Sequence, residues 1–392
     1  MIQSFNPPNM SDFQKRALIV GIVFTLAFLA GGAFVDPRRL FQSYLIGWTF
    51  WTGIGVGSIA LLMLQHLTGG GWGLVIRRVL EAATRTLPVM AILFLPVILG
   101  AHSIYEWTDH EEATKHPVIQ AKTPYLNLPF FSIRAVVYFG VWLTLMFFLN
   151  RWSLAQDRTA DDRYTKNMRL LSGPGMVALI FTVTFASIDW YMSLEPEWFS
   201  TIYGFIFVAA WSLSALAFVI AVMAWLSAEE PMRRIVAPLH FHDLGKLLLA
   251  LVMLWAYFAF SQYLIIWSGN LPEEITYYLS RIHGGWGALI ITIGILHFAA
   301  PFLFLLSRGL KRNPRRLVRV ALLIIVMRMV DLIWVLAPAF HHRRWILVDA
   351  AALIGFGGLW LVLFTWQLGK RPLIPINDPQ FESTMAQMHA GH

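Results

Sequence analysis

The sequence predicts an all-α integral membrane protein with ten transmembrane helices and both termini in the cytoplasm. Three observations carry this reading. Of the 392 residues, 57% are hydrophobic, 15% aromatic and only 13% charged, whereas soluble domains carry about 25% charged residues. Ten runs come near the roughly 20 apolar residues that a helix needs to cross about 30 Å of hydrocarbon. Lys and Arg gather on one side of those runs, as cytoplasmic loops require: 21 fall on the side of the N-terminus and 8 on the other, leaving Arg328 inside the ninth run.

The first span (17–35, with its flank 13–35) follows Lys15 and Arg16. Its run KRALIVGIVFTLAFLAGGAF is similar to a signal sequence with AGGA as a candidate cleavage site, and the expectation is that it is retained as a peripheral helix. The second span (44–66) ends at His66. The segment GLVIRRVLEAATR (73–85) is mixed in polarity and is expected to lie along the membrane surface. The third span (86–105) holds Pro88 and Pro96, which delete backbone donors, crowd the preceding turns and so kink the helix. Polar stretches at 106–129 and 150–169 flank the fourth span (130–149), and the fifth is 174–194. Ser200 or Thr201 caps the sixth (201–227), and Asp243 and Lys246 open the seventh (244–267). The eighth (282–307) contains HGGWGALIITIG, whose glycines permit close helix approach. The ninth is 317–338 and the tenth, again peripheral, 345–368, followed by a cytoplasmic tail at 369–392. Helix count suggests two antiparallel four-helix bundles, spans 2–5 (within 40–195) and spans 6–9 (within 200–338).

Ionisable residues inside such spans are costly and mark sites. The stretch FASIDWYMSLEPEWFSTIYG (185–204) places Asp189 near the outer end of span 5 and Glu195 and Glu197 in a short outer turn. Trp190, Tyr191, Trp198 and Tyr203 read as headgroup-layer anchors around a solvated acidic turn. Asp189, about one turn inside the interface, requires a partner or a water-filled cavity. Arg328 and Asp331, three residues apart, share one face of span 9 near mid-membrane. Two readings stand side by side: a mutually neutralised pair that fixes helix packing, or a proton or charge relay. His283, near the outer end of span 8, and His297, on its inner half, extend the second reading, with Asp189 and Asp349 on the outer side.

Several chemistries are excluded or unsupported. The absence of cysteine removes disulfides, thiolate zinc, iron–sulfur ligation and covalent haem attachment. His283 and His297 stand 14 residues apart, a spacing suited to two stacked haems, but no second helix carries a matching pair; His66 and His102 lie at span ends on opposite sides. The tail AQMHAGH reads as solvated. GGGWG at 69–73 lacks the Lys and Ser/Thr of a phosphate loop. The net charge of +8 belongs to loops facing anionic lipid rather than to a nucleic-acid surface.

The segments ASIDWYMSLEPEWFSTIYG (186–204) and FHDLGKLLLALVMLWAYFAFSQYLIIWSGNLPEEI (241–275), with the Arg-x-x-Asp of span 9, resemble the smaller of the two large polysulfide-reductase-type membrane subunits of bacterial alternative complex III. That assembly is a quinol:electron-acceptor oxidoreductase of respiratory or photosynthetic chains in the bacterial inner membrane. The resemblance implies ten helices in two four-helix bundles and a non-catalytic subunit without its own cofactor. It also implies partners: a paralogous quinol-binding membrane subunit, an iron–sulfur protein and a multihaem c-type cytochrome. Quinone, iron–sulfur clusters and c-type haems are thereby expected in those partners, and a proton half-channel involving Asp189, His283, His297, Arg328, Asp331 and Asp349 in this chain. A secondary transporter with a charged mid-membrane site is the alternative.

Overall fold

The computed structural model describes residues 6–35, 37–109, 116–159, 161–340, 346–375 and 377–379. Among these the chain is helical, without a β-strand. Ten of the described helices are long and apolar enough to cross a membrane: span 1 (Ser11–Gly32), span 2 (Arg38–Thr68), span 3 (Gly71–Leu99), span 4 (Leu128–Thr159), span 5 (Asp162–Leu194), span 6 (Tyr203–Leu226), span 7 (Pro238–Gly269), span 8 (Trp286–Leu306), span 9 (Pro314–Ala339) and span 10 (Leu347–Leu368). The tail motif AQMHAGH lies outside the described residues. An even number of crossings returns the chain to the face from which it started, and Met10 lies beside Gly369 there. This is called the terminal face below.

Spans 2–5 pack on one another, as do spans 6–9, and spans 1 and 10 pair along the outside of span 2. Spans 2 and 6 form the main seam between the two groups. Glycine makes that seam close. A methyl group on Gly57 would fall 2.2 Å from the carbonyl oxygen of Trp211. Gly21 and Gly358 do the same where spans 1 and 10 cross: a methyl group on Gly358 would lie 2.4 Å from the Gly21 backbone. With no hydrophobic drive between helices in lipid, such backbone proximity supplies the dispersion contact that holds them.

Three expectations are corrected. The segment at 73–85 does not lie on the surface. It is the first part of span 3, with Gly73–Thr84 buried, because its charges meet partners from spans 4 and 10 and the chain beyond span 10. The polar stretch 150–169, expected to lie outside spans 4 and 5, is largely helical among the described residues: span 4 runs to Thr159 and span 5 starts at Asp162, where Asp161 caps the backbone N–H of Arg163. Trp190, Tyr191, Trp198 and Tyr203 are buried rather than placed in a headgroup layer. Trp190 sits within an aromatic cluster, its ring 5.3 Å from Trp48, 4.7 Å from Phe94 and 5.7 Å from Trp142. Their stretch turns inward because Asp189, on the same turn, is drawn to a partner inside the first bundle.

The prolines act as expected in span 3, which breaks into short helices led by Leu87–Pro88 and Leu95–Pro96. Span 8 is interrupted differently. Ile293–Ala299 forms a π-helical turn just before Pro301. Pro301 has no N–H to offer the carbonyl four residues earlier, that of His297, and π turns absorb such defects.

Replacing Gly57 by Ala is expected to destabilise the folded protein by about 1–3 kcal/mol through overpacking. Gly140→Ala, with open space around it, should be neutral or slightly stabilising. Unfolding in bicelles by a denaturing detergent measures both.

Candidate functional site

Four polar constellations stand inside the apolar body, and each has its own partners. The first is in the second bundle. His297 of span 8, inside the π turn, is fully buried, with its ring 4.1 Å from that of Trp255 on span 7. Arg328 of span 9 lies 5.9 Å from the Trp255 ring and is ion-paired with Asp331, one turn along. Spacing alone predicts that pair. What surrounds it is less ordinary: Nδ1 and Nε2 of His297, Nε of Arg328 and Nε1 of Trp255 are buried and have no hydrogen-bond partner among the described residues. Four such atoms on three neighbouring side chains are costly in a dry interior and are normally met by internal water.

The second constellation surrounds Asp189 in the first bundle. Its carboxylate accepts two bonds from Arg134 of span 4, Nε at 2.7 Å and Nη2 at 3.0 Å, and one from the Tyr138 hydroxyl at 2.6 Å. Arg134 also donates to the Tyr125 carbonyl and has the Tyr125 ring 3.8 Å from its Cζ. This bidentate, π-covered geometry is the arrangement in which a guanidinium tolerates burial. The charge count assigns Arg134 to the outer side as a loop charge; it is instead buried within the first bundle, so Arg328 is not the only arginine inside a span that pairs with a carboxylate.

The third lies on the face opposite the termini and accounts for Glu195. Arg281, at the end of the helix Pro272–Ile282, is buried and holds Glu195 at 2.6 Å while donating to the Val335 carbonyl at 2.8 Å. Its guanidinium lies 3.5 Å from the Tyr277 ring, which stacks on Trp198 at 4.1 Å. Burial pushes the Tyr277 phenol up to about 12, so it serves as a neutral platform. The acidic turn is therefore only half solvated: Glu195 ties the loop after span 5 to the second bundle, while Glu197 is exposed and 3.0 Å from His116.

The fourth has no counterpart among the sequence expectations. On the terminal face, Arg78 binds Glu81 at 2.7 Å and also pairs with Asp157 of span 4. Arg371 reaches Glu81 at 3.1 Å and the Asn150 side chain at 3.1 Å. Arg77 pairs with Asp378 at 2.7 Å, and Asn377 donates to the Asp157 carbonyl at 2.8 Å. The chain after span 10 is thus docked, with Leu373 and Ile374 buried beside it, and not a free tail over residues 369–375.

Of the six residues proposed from sequence, His297, Arg328 and Asp331 come together and the others do not join them. Asp189 is saturated in the first bundle. Asp349, on span 10, is buried and bonded by the Ser43 hydroxyl of span 2. His283 lies outside span 8, exposed in the turn before it, where Gly284 and Gly285 adopt φ of 64° and 94° and reverse the chain. Trp255 is the residue that sequence reasoning missed at the first site, and its span-7 motif was its only signal. Among the described residues no three His, Cys, Asp or Glu side chains converge to hold a metal ion. Compared with known proteins, the chain matches no family model and no curated protein sequence.

Arg134→Met is expected to destabilise the protein by about 3–5 kcal/mol, since it strands a buried carboxylate. The double variant Arg134→Met, Asp189→Leu should recover most of that loss. A double-mutant cycle on unfolding in bicelles reads both.

Proposed function

We propose that this chain is a non-catalytic membrane subunit of a quinol:electron-acceptor oxidoreductase, and that the His297–Arg328–Asp331 cluster is a proton-transfer station in it. The resemblance of 186–204 and 241–275 to the smaller membrane subunit of alternative complex III supports the first part. A single observation supports the second: a fully buried imidazole with both nitrogens unpartnered among the described residues, beside an ion pair within the neighbouring span. An imidazole can take a proton at one nitrogen and release one from the other. Asp331, with Arg328 as counterion, is the acceptor or donor one step further along span 9. Internal water connecting the orphaned atoms completes hydrogen-bond contact between them. In this reading Asp189 and Arg281 are structural, because they are committed to fixed partners, as is the terminal-face network, whose arginines Arg77, Arg78 and Arg371 are each paired with a carboxylate, and the route is confined to spans 7–9.

The quinone, iron–sulfur clusters and c-type haems belong to partner subunits, and protons crossing this chain are coupled to chemistry done elsewhere. The transporter alternative draws on interrupted helices, and two are found among the described residues, in spans 3 and 8. They occupy the second place of one bundle and the third of the other, so they are not the matched pair that inverted-repeat transporters use.

Purification of the tagged chain from native membranes should co-isolate haem-containing and iron–sulfur proteins, read from the haem absorbance of the preparation. In the reconstituted assembly, Asp331→Asn and His297→Phe should leave quinol oxidation under uncoupled conditions near normal and lower proton translocation by about tenfold or more. Unchanged translocation in both variants makes the cluster structural.

A further inference from the structure

On the terminal face the arginines buried in the first bundle are paired, whereas a dense basic cluster under the second is not. Under the first bundle, Arg77, Arg78 and Arg371 are each matched by a carboxylate. Beneath the second, the segment 307–319, from the end of span 8 into the first turns of span 9, carries Arg308, Lys311, Arg312, Arg315, Arg316 and Arg319 and no acid. None of these six has an ion-pair partner among the described residues. Five are exposed, but Lys311 is only 8% exposed, its stem laid on Gly245 of span 7 so closely that a methyl group there would come 2.7 Å from Cγ. The acid of this corner, Asp243, is bonded to Lys246 at 3.2 Å. His242, in electrostatic reach of Lys311 and Arg312, has a buried Nδ1 without a partner among the described residues. The N-terminus of the 23-residue helix Pro314–Leu336 points its partial positive charge at the same place.

The stem of Lys311 is thus buried against span 7, and its ammonium, at the head of a basic cluster with no counterion among the described residues, attracts an anion. We propose that this corner binds the phosphate of an anionic phospholipid headgroup, with Lys311 as the deep contact and Arg312, Arg315 and Arg316 as the rim. What selects a lipid over a free anion is the surface directly above. Leu303, Phe304 and Leu306 at the end of span 8 and Leu322 on span 9 are exposed, at 62%, 50%, 55% and 49%. They offer acyl chains a path from the same corner into the hydrocarbon. Basic pockets between transmembrane helices recognise anionic lipids by this combination of headgroup charge and chain contact.

Native mass spectrometry of the full chain, or of the assembly in which it purifies, tests the proposal after delipidation and titration with phosphatidylglycerol or phosphatidylcholine. Wild type should retain phosphatidylglycerol selectively. Each basic residue near an anionic surface is worth roughly a fivefold factor, so Lys311→Met with Arg312→Gln should weaken that binding by about 25-fold. Arg234→Gln, an exposed arginine on the neighbouring terminal-face loop paired with Glu230, should leave it within about twofold. Should Lys311→Met fail to fold, Arg312→Gln with Arg316→Gln tests the rim alone and should give a loss of similar size. Retention unchanged in these variants overturns the proposal, and so does an equal loss in Arg234→Gln, which means diffuse surface charge. Competition by millimolar inorganic phosphate indicates a free-anion site and also overturns it, as does loss of a partner protein while phosphatidylglycerol binding stays intact.

Discussion

Arg134 and Asp189 face each other where neither ion could stand alone, and the same constraint governs the other buried pairs. A charge taken from water into a low-dielectric interior costs several kcal/mol unless it is paired and hydrogen-bonded. Arg281 with Glu195, Arg78 with Glu81 and Arg328 with Asp331 meet that demand. Two of these four pairs join elements distant in the chain: Arg134–Asp189 links spans 4 and 5, and Arg281–Glu195 links the loop after span 5 to the second bundle. Dispersion between apolar helices in lipid is nondirectional, so the ion pairs and the glycine contacts at Gly57 and Gly358 set which helix meets which, and at what depth.

Against this background the second bundle contains an intramembrane charged cluster where satisfaction is incomplete. Asp189 receives three hydrogen bonds from side chains, whereas His297 receives none among the described residues. The π turn and Pro301 place that imidazole where a regular helix would not. A saturated network is rigid and holds its protons; an unsaturated one, once hydrated, can pass them on. That difference separates scaffold from candidate machinery more sharply than burial does, since both sites are equally buried.

Much of the fold was legible in the amino-acid order, because hydropathy over twenty residues reports directly on the solvent a helix can tolerate. The ten spans follow from it, as do the breaks at Pro88 and Pro96 and the Arg328–Asp331 pair, whose partners are near in sequence. Partners distant in sequence were hidden. Arg134 stands 55 positions from Asp189 and, judged by its own surroundings, resembles a boundary charge. Trp190 and Trp198 carry the composition of interface anchors, and only the packing shows their rings turned inward. Residues 73–85 have the polarity of a surface helix because their partners come from span 4 and from the chain beyond span 10, which no local pattern records.

The docking of that last segment bears on how the protein is made. Glu81 and Arg371 are 290 positions apart, so the ribosome releases the second long after the translocon has dealt with the first. Until then the opening turns of span 3 must hold two arginines and one glutamate with only part of their final neutralisation. The ion network of the first bundle is therefore completed only once Arg371 has been made, so the last segment of the chain closes the opening turns of span 3.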